Sequence, residues 1–196
     1  MHMATALQLS AMPTFLESLY KRAGLLVGLL VFQSCSSFIL ASYESLLQKH
    51  SVVVFFLTML VGAGGNAGNQ AAVLVIRGLA TGEISERGLC AYVWGETKMA
   101  LCLSVVMVMA GYARVWLFGY TGIDAIAIST SLVAIVFSSV IIGCTLPVLL
   151  HRLQLDPAHA GATIQVIMDL AGVIITCAVC SVLLKDEVEP ISAVGG

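Results

Sequence analysis

Apolar residues run along the chain in five long blocks, covering roughly residues 23–42, 52–76, 99–118, 123–150 and 162–184. A hydrocarbon core takes about 20 helical residues to cross. Only helices and closed barrels satisfy their backbone polar groups in lipid, so each block predicts one membrane-spanning α-helix. Pro147 lies near the end of the fourth, where it can kink or stop the helix. The connections are short and polar, with no room for a soluble domain. Residues 1–22 are weakly amphipathic, with Phe15, Leu16, Leu19 and Tyr20 at helical spacing, and predict a segment lying at the interface. Residues 186–196 read as a polar tail. The expected fold class is therefore an all-α integral membrane protein, its five spans contained in residues 23–185. No cleavable signal peptide is expected, because the first twenty residues lack a basic start followed by an apolar stretch.

Two blocks depart from the apolar pattern. The second contains "GAGGNAGNQ", residues 62–70, with four glycines and three carboxamides in nine residues. Gly64 and Gly68 make a small-xxx-small pair that lets another backbone approach closely. Asn66, Asn69 and Gln70 share a helical face and carry groups that lipid cannot satisfy. Two readings stay open: a tight helix–helix contact bridged by carboxamides, or an unwound segment lining a polar path, with Gly65 at its centre.

The fifth block holds Asp169, the one carboxylate clearly inside an apolar span. At 100° per residue, Gln165, Asp169, Gly172 and Thr176 fall within an arc of about 60°. Every other residue from Ile164 to Cys180 is apolar. A charge at the bilayer centre costs about 3 kcal/mol on insertion scales. No Lys or Arg lies within a span except Arg114, near the opposite face, so Asp169 points to an ion or proton pathway. Carboxylate, carboxamide, hydroxyl and carbonyl oxygens suit hard cations. One carboxylate per chain builds no dry divalent site, but a wide polar pore can bind Mg²⁺ through its water shell. Two chains placing Asp169 on either side of a shared axis would balance a divalent charge.

Composition agrees with lipid as the main solvent. Hydrophobic residues make up 59% and charged residues 10%, against about 25% charged in a soluble domain; mean hydropathy is +1.01. A nucleic-acid-binding, disordered or disulfide-rich secreted protein is excluded on that ground. Five of the six cysteines, including the pair Cys177 and Cys180, lie within apolar runs, where a thiol packs as a small hydrophobe. Lys21, Arg22, Arg77, Arg87, Lys98 and Arg152 fall on one side of the spans, and Lys49, Arg114 and Lys185 on the other. The excess predicts a cytoplasmic N-terminus and, with five spans, a C-terminus outside.

The stretch "GAGGNAGNQAAVLVIRGLATGEI", residues 62–84, resembles the signature of the MgtE family of Mg²⁺ transporters and channels, G-x-G-G-N-x-G-x-Q followed by R-x-L-A. "LDPAHAGATIQVIMDLAG" is similar to that family's D-P-A and D-x-x-G elements, through Asp156, Pro157, Ala158, Asp169 and Gly172. Gly161-Ala162 stands where the family reads Gly-Pro. The resemblance implies a parallel homodimer in a cell membrane (inner or plasma), not an enzyme, with a Mg²⁺ pathway lined by the second and fifth spans. Asp169 would hold the hydrated Mg²⁺, assisted by Gln165, while Gly64, Gly65, Asn66, Gly68, Asn69, Gln70, Gly172 and Thr176 would line the pore. The cytosolic acidic domain and paired nucleotide-binding-type modules of typical members have no counterpart in these residues. The expectation is conduction without an own sensor, with regulation left to a separate chain. A proton- or Na⁺-coupled secondary transporter of a small solute, or of another divalent cation, is the alternative. A membrane scaffold using its small residues only for assembly is a third.

Overall fold

The computed structural model describes residues 15–84, 88–120, 122–154 and 160–184, with residues 89 and 90 as backbone only. Asp156, Pro157 and Ala158, most of the N-terminal segment and the tail from residue 185 lie outside the described residues. The described residues form helices and no strands: α1 (Phe15–Ser34), α2 (Ser36–Ser42), α3 (Glu44–Lys49), α4 (Ser51–Thr81), α5 (Leu89–Leu117), α6 (Ile123–Arg152) and α7 (Ala160–Leu183). Five stretches are long and apolar enough to cross a membrane, α1 and α2 together forming the first. The expected spans are thus present, with longer helices around them. At about 1.5 Å per residue, the 31 residues of α4 reach about 46 Å, well beyond a hydrocarbon core of about 30 Å.

Residues 15–22 are helical and run on into the first span. Two features differ from the sequence expectation. The glycine stretch does not unwind: α4 runs unbroken through Gly62–Gln70, which removes the unwound reading and leaves the packing one. Pro147 does not stop α6, which continues to Arg152. The missing N–H at Pro147 costs one intrahelical bond, and neighbouring helices bury the residue. α4 ends at Gly82, whose φ of 74° supplies the left-handed cap, and the Gly82 N–H bonds the Leu79 carbonyl.

The centre of the fold is a triple contact of α4, α6 and α7, with α5 laid against α6 and the first span against α7. Leu60, Ile128, Ile135, Ile164 and Met168 fill the main core. A second cluster of Ala71, Val75, Ala100, Val140 and Cys144 joins α4, α5 and α6. Cys144, Cys177 and Cys180 are buried free thiols, packed as hydrophobes. Three buried hydroxyls are satisfied locally, Ser104, Ser131 and Thr176 each donating to the carbonyl four residues earlier. That is how polar side chains are tolerated in helices surrounded by lipid and apolar neighbours. The buried Ser129 hydroxyl, by contrast, meets no partner among the described residues. Phe56 meets Phe118 and Tyr120 edge-on at 5.7 and 6.0 Å, and the Arg114 guanidinium lies 3.7 Å over the Phe118 ring. The one basic side chain expected inside a span is thereby engaged with an aromatic face.

Candidate functional site

The glycines of α4 are where the three central helices come closest. A Cβ on Gly64 would stand 2.6 Å from Ile135 Cγ2 on α6 and 3.2 Å from Met168 Cε on α7. A Cβ on Gly65 would collide with the Gln165 carboxamide, and one on Gly68 with the Ser139 hydroxyl and, at 2.8 Å, with Ile164 Cγ2. From the facing side, a Cβ on Gly143 would run into the Gly68 carbonyl. The Ser139 hydroxyl donates to the Gly64 carbonyl across the contact. The role of α6 here escaped the sequence reading, which paired α4 with α7 alone. The signal available was Ser139 and Gly143, small residues four apart on one helical face.

Opposed residues give α4 and α7 an antiparallel register. Val61 faces Gly172, Gly65 faces Gln165, Gly68 faces Ile164 and Asn69 faces Gly161. This register divides the predicted polar stripe of α7. Gly172 is buried, its Cα side closed by Val61, where a Cβ would come within 3.0 Å of Val61 Cγ2. Thr176 is fully buried, and its hydroxyl donates to the Gly172 carbonyl at 2.7 Å. Within one chain both therefore face protein. Gln165 is exposed and Asp169 half-buried, and these two open onto a cleft.

That cleft encloses about 330 Å³ and is lined by Gln33 and Ser36 from the first span, Thr58 and Gly62 from α4, and Gln165 and Asp169 from α7, with Leu57, Val61 and Val173 as its apolar walls. Asp169 stands about two and a half turns into α7. Its Oδ1 accepts a hydrogen bond from Gln165 Nε2 at 2.9 Å, a contact within one helix at the i, i+4 spacing. Its Oδ2 accepts from Gln33 Nε2 at 2.5 Å. Both oxygens thus meet neutral donors, while the other lone pairs remain available toward the cleft. Gln33 was missed in the sequence reading, although it is the one carboxamide in the first apolar block. What pairs it with Asp169 is a contact across 136 positions of sequence.

The α4 carboxamides do not join this cluster. Asn66, Asn69 and Gln70 are exposed, and Asn69 and Gln70 line a separate groove of about 380 Å³ with Val73 and Leu74. Asn69 Oδ1 lies against Gly161, 2.8 Å from where a Cβ would stand. Among the described residues, no three His, Cys, Asp or Glu side chains converge in a way that could hold a metal ion. A hard cation at Asp169 in one chain would therefore keep most of its water.

The sequence was compared with known proteins. The profile of MgtE, described as a divalent cation transporter, matches residues 57–179. The magnesium transporter MgtE of Thermus thermophilus is 33% identical over 161 residues, covering 82% of this chain and 36% of the relative. That of Bacillus subtilis is 27% identical over 163 residues, covering 80% and 35%. That of Enterococcus faecalis is 24% identical over 171 residues, covering 87% and 38%. The chain spans a little over a third of the length of these relatives.

Proposed function

The chain belongs to the MgtE family of divalent cation transporters, and from that premise we propose that it carries hydrated Mg²⁺ across a cell membrane, with Asp169 as the residue that receives the ion. The observation that carries this reading is the setting of Asp169. A carboxylate in an apolar span, facing an open cleft, is held by two carboxamides and, among the described residues, by no basic side chain. Neutral donors leave its negative charge in place, where a Lys or Arg would cancel it. The relatives named as magnesium transporters support Mg²⁺ as the ion. Mg²⁺ sheds water reluctantly and binds through its hydration shell, which suits a cleft offering one carboxylate with hydroxyl and carboxamide neighbours.

The functional unit in this reading is a parallel homodimer, its pathway lined by α4 and α7. Asn66, Asn69 and Gln70 are exposed in the single chain, and lipid would leave their amides unsatisfied. Water in a shared pathway, or the second chain, satisfies them. Two Asp169 carboxylates would then match one divalent charge. With the N-terminus cytoplasmic, the membrane potential drives the ion inward by about 4.6 kcal/mol per 100 mV for two charges.

Mg²⁺ flux into proteoliposomes tests the proposal, with Asp169→Asn beside the wild type. The substitution keeps the size and one acceptor oxygen, turns the other into an amide donor and removes the charge, so flux should fall at least tenfold while assembly is kept. Equal flux from both proteins would overturn the role of Asp169. Flux that needs a proton or Na⁺ gradient would favour a coupled carrier.

A further inference from the structure

The contact between Gln33 and Asp169 joins the acidic site to a lightly anchored part of the fold. No residue of α1 or α2 is buried, and the span lies against α7. Its helix is interrupted at Cys35, two residues after Gln33. The Cys35 N–H bonds the Phe32 carbonyl at 3.1 Å in a tightened turn, and the Ser34 hydroxyl and Cys35 thiol turn back on the Val31 carbonyl at 2.6 and 3.9 Å. Back-bonding of this kind bends a helix. This tightened turn lies close to where the first span meets Asp169, and Ser36, just beyond it, lines the same cleft.

The chemistry of the pair is specific. A carboxylate offers about four acceptor positions on two oxygens. Gln165 and Gln33 take one on each oxygen, which fixes the plane of the carboxylate and leaves about two positions for water carried by a cation. Each carboxamide spends an N–H on Asp169 and keeps its carbonyl oxygen as a further acceptor. An array of fixed oxygen acceptors is what the hydration shell of a hard divalent cation requires, since its waters donate outward. Resting on the reading that Asp169 receives the transported ion, we propose that Gln33 is a positioning residue of the cation site, holding the Asp169 carboxylate from the first span and completing its acceptor array for a hydrated divalent cation. Occupancy of the site and the placement of the first span are then coupled through one hydrogen bond.

The test measures Mg²⁺ flux against Mg²⁺ concentration for wild type, Gln33→Leu, Gln33→Asn and Asp169→Asn in proteoliposomes, with thermal stability recorded for each. Gln33→Leu should raise the half-saturating Mg²⁺ concentration at least fivefold, with maximal flux within twofold of wild type. Gln33→Asn keeps the amide on a shorter stem and should recover part of that shift. A maximal flux that falls with unchanged half-saturation would mean a structural role and overturn the proposal. So would a lower half-saturating concentration, which would show Gln33 competing with the ion. In parallel, Gln33→Cys with Asp169→Cys, on a background lacking the native cysteines, should be joined by a short bifunctional thiol reagent. Failure to cross-link removes the contact whatever the flux shows. Wild-type protein that carries no Mg²⁺ while the cross-link forms defeats the transport reading instead, and with it the cation role of Gln33.

Discussion

Replacing Gly68 with alanine adds one methyl group where α4 packs closely on α6 and α7, and its cost can be worked from the neighbours. The new carbon would lie 2.8 Å from Ile164 Cγ2 and 3.0 Å from the Ser139 carbonyl oxygen, with the Ser139 hydroxyl nearer still. Carbon atoms in contact rest at about 3.5–4.0 Å, so the Ile164 contact is short by roughly an ångström. Ile164 is β-branched and stiff at χ1, and the Ser139 carbonyl belongs to the α6 backbone. Neither yields without moving a helix. Overpacking of this kind costs about 1–3 kcal/mol, or about a fivefold to 150-fold change in the unfolding equilibrium. In water, alanine would return about 1 kcal/mol of helix propensity relative to glycine. In lipid the unfolded reference keeps its helices, because the backbone has nothing else to bond, so that compensation is largely lost.

Gly62 is the internal control. It lies on the same helix, six residues away, and a Cβ there meets nothing within 4 Å. Gly62→Ala should change stability by less than about 0.5 kcal/mol, as an uncrowded substitution does. Reversible unfolding in bicelles, followed by denaturant titration of both variants, measures the difference. Equal stability of Gly68→Ala and Gly62→Ala would refute the close approach of α4 to α6 and α7.

Other substitutions probe separate contacts. Gly143→Ala should destabilise to a similar degree as Gly68→Ala, since its Cβ would enter the Gly68 carbonyl group; the same unfolding assay reads it. Ser139→Ala removes the hydrogen bond to the Gly64 carbonyl and should cost about 0.6 kcal/mol, the usual worth of an interhelical bond in a membrane protein. Thr176→Val keeps the shape of a buried side chain bonded only to its own helix, so Mg²⁺ flux should stay within twofold of wild type. A larger fall would return Thr176 to the pathway wall. Gln70→Leu, in the exposed groove with Asn69, should lower flux severalfold with little change in unfolding, whereas Leu at exposed Val105, on α5 outside that groove, should leave both nearly unchanged.

The existence and extent of the five spans were legible in the chain because apolar run length and the absence of charge are local properties, and lipid rewards them one helix at a time. Asp169 was legible for the same reason, as a charge where the surrounding residues offer it nothing. The glycines announced a close approach but not its partners. That α4 stays helical through Gly62–Gln70 and meets α6 as well as α7 depends on Ile135, Ser139 and Gly143, which lie about seventy positions away. Helical periodicity placed Gln165, Asp169, Gly172 and Thr176 on one face, yet a face about 60° wide can be shared between a cleft and a neighbouring helix. The antiparallel register of α4 on α7 covers Gly172 with Val61, and packing buries Thr176, while Gln165 and Asp169 stay open. Gln33 meets Asp169 only because the first span lies along α7 at one height and one rotation. Periodicity within a helix carries no information about the height or rotation of the helix beside it; those follow from how side-chain volumes fit across the contact.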